Sequence, residues 1–140
     1  MTFAGVNYLA ILAAAVAAWA FGAAYYSGLA KPWMAAAERT EADLKKYEGS
    51  LRLYLPFGVS FVAELVMAWT LAGLLAHLGQ ATLRGGVISA FFVWLGFVLP
   101  TIATNYAYGD RKPMLIALDT AHWLGVLLII GAIVGAWGVQ

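Results

Sequence analysis

Four stretches of this chain, 6–26, 53–77, 86–108 and 114–137, are almost continuously apolar. Each reaches the ~20 residues that a helix needs to cross a bilayer. None alternates apolar and polar residues at period two, so a membrane barrel is excluded and helices remain. The expectation is an all-α integral membrane protein: four transmembrane helices in a bundle, forming one membrane domain over residues 1–140. Composition agrees, because 64% of the residues are hydrophobic and only 11% are charged. Soluble domains carry about a quarter of their residues as charges. The net charge of +1 and the lack of a basic run with interleaved aromatics speak against a nucleic-acid partner. Cysteine is absent, which removes disulfides, thiol catalysis and cysteine-based metal sites. No Lys or Arg precedes the first apolar run, which is as long as a full span, so it is expected to be a retained helix rather than a signal peptide.

Basic residues orient the spans. Lys31, Arg39, Lys45, Lys46 and Arg52 lie between the first two runs, and Arg111 and Lys112 between the last two. Only Arg84 lies on the opposite side. The positive-inside rule puts the richer loops in the cytoplasm and both termini outside. Aromatic residues at the run ends, Tyr8, Tyr25, Tyr26, Tyr54, Tyr106, Tyr108 and Trp137, suit the headgroup zone, with ordinary packing as the alternative for one or two of them. Within the first loop, Trp33, Ala37, Thr40, Leu44, Tyr47 and Leu51 recur at helical spacing beside a charged face. An amphipathic surface helix over 32–47 is expected, begun by Pro32 and ended before Gly49 and Ser50. A solvated linker helix has the same pattern.

Two blocks carry a family resemblance. One is FGAAYYSGLAKPWM, Phe21–Met34, in which an aromatic-Tyr-Ser element precedes a Lys/Trp/Met cluster. The other is NYAYGDRKPMLIALDTAHWL, Asn105–Leu124, with an Asn near the end of the third run and Ile-x-x-Asp early in the fourth. In these blocks and in its four-span layout the chain resembles the bacterial membrane family catalogued as domain of unknown function 1761. Gly28 departs from the family, which often has Pro after Tyr-Ser. The resemblance implies a location in the bacterial inner membrane and no particular activity.

Ionisable side chains inside a membrane are costly and usually face the bundle interior. Glu64 lies about 16 Å into the second span, near the midplane. Asp119 and His122 lie about 8 and 12 Å into the fourth and share a helix face. On the third span Thr101, Thr104, Asn105 and Tyr108 form one stripe at helical spacing. Tyr25 and Tyr26 close the first span at the same level, and Ser60 lies one turn from Glu64. Pro100 removes a backbone hydrogen bond near Gly96 and is expected to kink the third span. Together these groups suggest a one-sided polar pocket that opens to the cytoplasm and binds a small solute or a proton through Glu64, Asp119, His122, Asn105, Thr101, Tyr25 and Tyr26. Glu64 is expected to point inward, uncharged, with His122 as partner. The competing reading is a hydrogen-bond network that only fixes helix register, with Asp119 reaching Arg111 or Lys112.

No Ser is in register with Asp119 and His122, and no His-Glu-x-x-His or Gly-rich phosphate loop occurs. The sequence therefore assigns no catalytic residue, and it calls for no cofactor or metal. Gly131 and Gly135 form a small-x-x-x-small pair, and the first span is rich in alanine. Small residues allow close helix approach, within a chain or between chains. A homodimer, or a place as an accessory subunit of a larger membrane complex, is expected, with the lipid bilayer as constant partner.

Overall fold

The computed structural model describes residues 5–139. Its elements are α1 (Tyr8–Gly28), α2 (Ala30–Ala37), α3 (Glu41–Lys45), α4 (Leu51–Leu78), α5 (Leu83–Val93), a π-helical segment (Trp94–Val98), α6 (Leu99–Tyr108) and α7 (Pro113–Trp137). Four of the resulting helices are long and apolar enough to span a membrane: Tyr8–Gly28, Leu51–Leu78, Leu83–Tyr108 and Pro113–Trp137. Their ends follow local capping chemistry. The Asn7 side chain accepts from the amides of Leu9 and Ala10, Ser50 accepts from Arg52, and Thr82 accepts from Gly85. Each satisfies amides that have no partner within the first helical turn. The third span thus begins at Leu83, three residues ahead of the apolar run.

The first loop departs from the single helix expected over 32–47. It holds two short helices, separated where Glu38 adopts a left-handed conformation with φ 56°. The cause lies in Thr40 and Asp43, which form a reciprocal capping box and start a new helix. Hydrogen bonds from the Thr40 hydroxyl and amide hold the Asp43 carboxyl below its usual range. Pro32 does not open a helix, because α2 already begins at Ala30 and follows α1 after one residue, Leu29.

Val6 and Val139 form an antiparallel bridge, and the Asn7 amide donates to the Gly138 carbonyl at 2.9 Å. The start of α1 and the finish of α7 therefore meet at one end of the bundle, the terminal end. The opposite, loop end carries α2, α3 and the α6–α7 turn. Helix α7 is the hub, packed against α1, α2, α4, α5 and α6. The fully buried Ala14, Ala15 and Ala18 of α1 belong to this core, as do Ala68, Ala72 and Leu75 of α4.

The tightest helix contact is between α5 and α7. A methyl group built on Gly86 would collide with the Gly131 carbonyl and come within 2.9 Å of Gly135 Cα. One built on Gly135 would collide with the Thr82 carbonyl. Gly131 and Gly135 thus serve packing within the chain, where backbone meets backbone. The apolar core is concentrated in the terminal half. Toward the loop end α4 splays outward, with Leu51, Leu55 and Val59 exposed, and α6 buries no residue.

Ahead of Pro100, where a kink is expected, the third span contains a π turn. Pro100 has no N–H to offer the Gly96 carbonyl, and the Leu99 amide reaches back five residues to Trp94. Gly86→Ala should lower thermal stability by about 1–3 kcal/mol through overpacking. Gly58→Ala, where nothing lies within 4 Å, should be neutral or slightly stabilising. Equal melting shifts for the two variants in detergent would contradict the packing described.

Candidate functional site

Asp119 lies in the second turn of α7 and is 7% exposed. Its Oδ1 accepts hydrogen bonds from Tyr26 Oη at 2.8 Å and Trp33 Nε1 at 3.1 Å. Its Oδ2 accepts from Tyr106 Oη at 2.7 Å. Tyr26 stands in the last turn of α1, Trp33 in α2 and Tyr106 in α6. One carboxyl group therefore ties three elements to a fourth. All three donors are neutral, and Asp119 forms no ion pair among the described residues. The expectation that Asp119 reaches Arg111 or Lys112 is not met. Lys112 instead pairs with Glu38 at 3.2 Å and donates to the Ala35 carbonyl, at the exposed end of α2.

One turn further along α7, His122 is buried in an aromatic enclosure. Its ring stacks on Phe21 with centroids 6.1 Å apart, and it meets Tyr26 at 4.6 Å, Trp123 at 5.1 Å and Tyr25 at 5.5 Å. Gly22 makes room for it, since a Cβ there would stand 2.9 Å from His122 Nε2. His122 Nδ1 is buried without a hydrogen-bond partner among the described residues. Tyr25 contributes its ring to the enclosure and donates its hydroxyl to the Leu118 carbonyl at 2.9 Å.

Glu64 points inward as expected and is 1% exposed. Its Oε2 is buried and unpartnered among the described residues. No hydrogen bond joins it to His122, and neighbouring Ser60 donates to the Phe57 carbonyl instead. The expected Glu64–His122 pair is thus replaced by two separate buried polar groups, each with an open valence.

The third-span stripe is turned away. Thr101, Thr104, Asn105 and Tyr108 are exposed, and the Thr101 hydroxyl donates to the Phe97 carbonyl of its own helix. The inward position belongs to Tyr106, which the sequence pattern places among the headgroup-zone aromatics and the structure turns toward Asp119. The π segment explains the exchange. On α5 the buried face passes through Gly86 and Ala90. Continued at 3.6 residues per turn, that face would reach Thr101 and Tyr108. The π turn changes the phase of the following helix, whose partly buried face runs through Ile102, Ala103 and Tyr106. Trp33 faces the bundle, where its indole N–H donates to Asp119.

A family model described as "Protein of unknown function (DUF1761)" matches residues 9–135. The chain belongs to this family. No curated protein and no solved structure matches it.

Removing single donors should cost little, and removing their shared acceptor should cost more. Tyr106→Phe and Trp33→Phe should each destabilise by about 1 kcal/mol. Asp119→Leu strands all three donors and should cost about 3 kcal/mol. Denaturation in detergent micelles gives the order, and an Asp119→Leu effect no larger than that of Tyr106→Phe would refute the shared-acceptor arrangement.

Proposed function

We propose that this member of the DUF1761 family is a multi-pass protein of the bacterial inner membrane that binds a proton or a small solute in an intramembrane polar pocket, and that it serves transport or sensing. One observation carries the reading. Asp119, Glu64 and His122 are all buried within spanning helices, and none is neutralised by an ion pair among the described residues. Intramembrane ionisable groups of this kind are expensive to keep and mark ligand or proton sites by default. In this reading Asp119 is the principal acceptor, and a proton or a solute donor competes with Tyr26, Trp33 and Tyr106 for its oxygens. Glu64 Oε2 and His122 Nδ1 supply further acceptor or donor capacity deeper in the bundle. Tyr25 and Tyr26 form the wall, while Thr101 and Asn105 could take part only if α6 rotated.

The distribution of basic residues supports a cytoplasmic loop end. Seven of the eight Lys and Arg residues lie there, with Arg84 alone at the terminal end. Both termini then lie outside. A second reading, a non-catalytic subunit of a larger membrane complex or a homodimer, draws support from the third span. Only 11% of its most apolar window is buried, against 39% for the fourth span. That leaves a helix face for lipid or for another chain.

Orientation is tested by reporter fusion. Alkaline phosphatase joined after Gln140 should be active, and a fluorescent protein requiring cytoplasmic folding should stay dark; the reverse pattern would overturn the orientation. Function is tested by the pH dependence of thermal stability in nanodiscs, with and without candidate solutes. Glu64→Gln and Asp119→Asn should fold and flatten that dependence. Profiles that coincide with the parent protein would assign these groups to structure alone.

A further inference from the structure

The loop end holds a second feature that Asp119 chemistry does not use. The cleft enclosed by the end of α1, by α2 and α3, and by the first turns of α4 has a volume of about 570 Å³. Its inner wall is formed by Tyr26 and Trp33, the two side chains that donate to one oxygen of Asp119. Leu44, Leu53, Pro56 and Phe57 make much of the remaining wall apolar. Arg39, Arg52 and Asp43 supply its charges.

We propose that this cleft binds an anionic phospholipid, with Arg39 and Arg52 holding the phosphate-bearing headgroup. Three observations converge on that occupant. The first is charge. Both arginines are exposed and neither forms an ion pair among the described residues. The single acid in the wall is already engaged, because Asp43 Oδ2 accepts from the Thr40 amide at 2.8 Å and the Thr40 hydroxyl at 2.7 Å. Asp43 keeps its negative charge within reach of Arg39, so two arginines against one carboxylate leave the wall with net positive charge, which complements one anionic headgroup, and guanidinium groups suit phosphate oxygens.

The second is depth. Tyr26 is two residues from the end of a spanning helix, and Arg52 and Leu53 are in the first turn of another. The cleft therefore lies at headgroup level, where basic pockets between spanning helices recognise anionic lipids. The third is the path for an acyl chain. On the neighbouring face of α4, Leu55, Gly58, Val59 and Val62 line an apolar groove of about 400 Å³. A soluble anion would leave both apolar surfaces without use, whereas a phospholipid covers them and the arginines at once. The inference needs the four-span arrangement and not solute binding at Asp119, so either can fail alone.

The full chain would be reconstituted in phosphatidylcholine nanodiscs containing a minor fraction of phosphatidylglycerol, then released and weighed by native mass spectrometry. Arg39→Gln and Arg52→Gln should each lower the retained phosphatidylglycerol about fivefold, as expected for loss of one basic side chain near an anionic headgroup. Arg84→Gln, the same charge change at the terminal end, should leave it unaltered. Because all three arginines are exposed, melting curves should show the variants folded. Equal loss in all three variants, or loss in none, would overturn the proposal. So would retention of added palmitate without phosphatidylglycerol, or a lipid-free dimer in which residues 39–57 are shielded from hydrogen exchange.

Discussion

The carboxyl group of Asp119 is the point on which the loop end depends. Two of the elements it holds have little else to hold them. Helix α6 buries none of its residues, and α2 is eight residues long and buries only Ala36. An isolated helix of that length is not stable on its own. The exposed Lys112–Glu38 pair adds at most about 1 kcal/mol. Hydrogen bonds from Tyr106 and Trp33 therefore do what apolar packing does elsewhere in the bundle. This contact is polar and directional, and it responds to anything that competes for the same two oxygens.

The terminal end is built on the opposite principle. Its contacts are backbone against backbone at Gly86, Gly131 and Gly135, with small alanines between α1, α4 and α7. Such contacts hold helices closely without ionisable groups. The molecule thus joins a close-packed half to a splayed half that carries seven of its eight Lys and Arg residues. Glu64 lies near the boundary between the two, as the innermost ionisable group of α4.

Much of this division was legible in the sequence. Apolar run length was enough for the four spans, and the positions of Glu64, Asp119 and His122 within the runs were enough to place them inside the bundle. Local competition was harder to read. The Thr40–Asp43 capping box overrode a helical pattern that looked continuous from Pro32 to Tyr47. The largest departure came from a single residue of helical phase. Pro100 announced a disturbance in the third span, but a proline can kink a helix, break it or add a π turn, and only the last of these rotates the helix beyond it. Counting by 3.6 through that segment put Thr101 and Asn105 in the pocket, and the actual phase put Tyr106 there. Nor does spacing along one helix specify partners on another. The three donors to Asp119 come from positions 86 and 93 residues before it and 13 before it.

The glycine contact is placed where a fulcrum would be. Gly86 and Tyr106 are twenty residues apart along the third span, a lever arm of roughly 30 Å. A rigid tilt of about 5° around that contact would displace Tyr106 by roughly 2.6 Å, as far as its hydrogen bond to Asp119 is long. Motion too small to disturb the close-packed end would thus be magnified at the other end into the making or breaking of one bond.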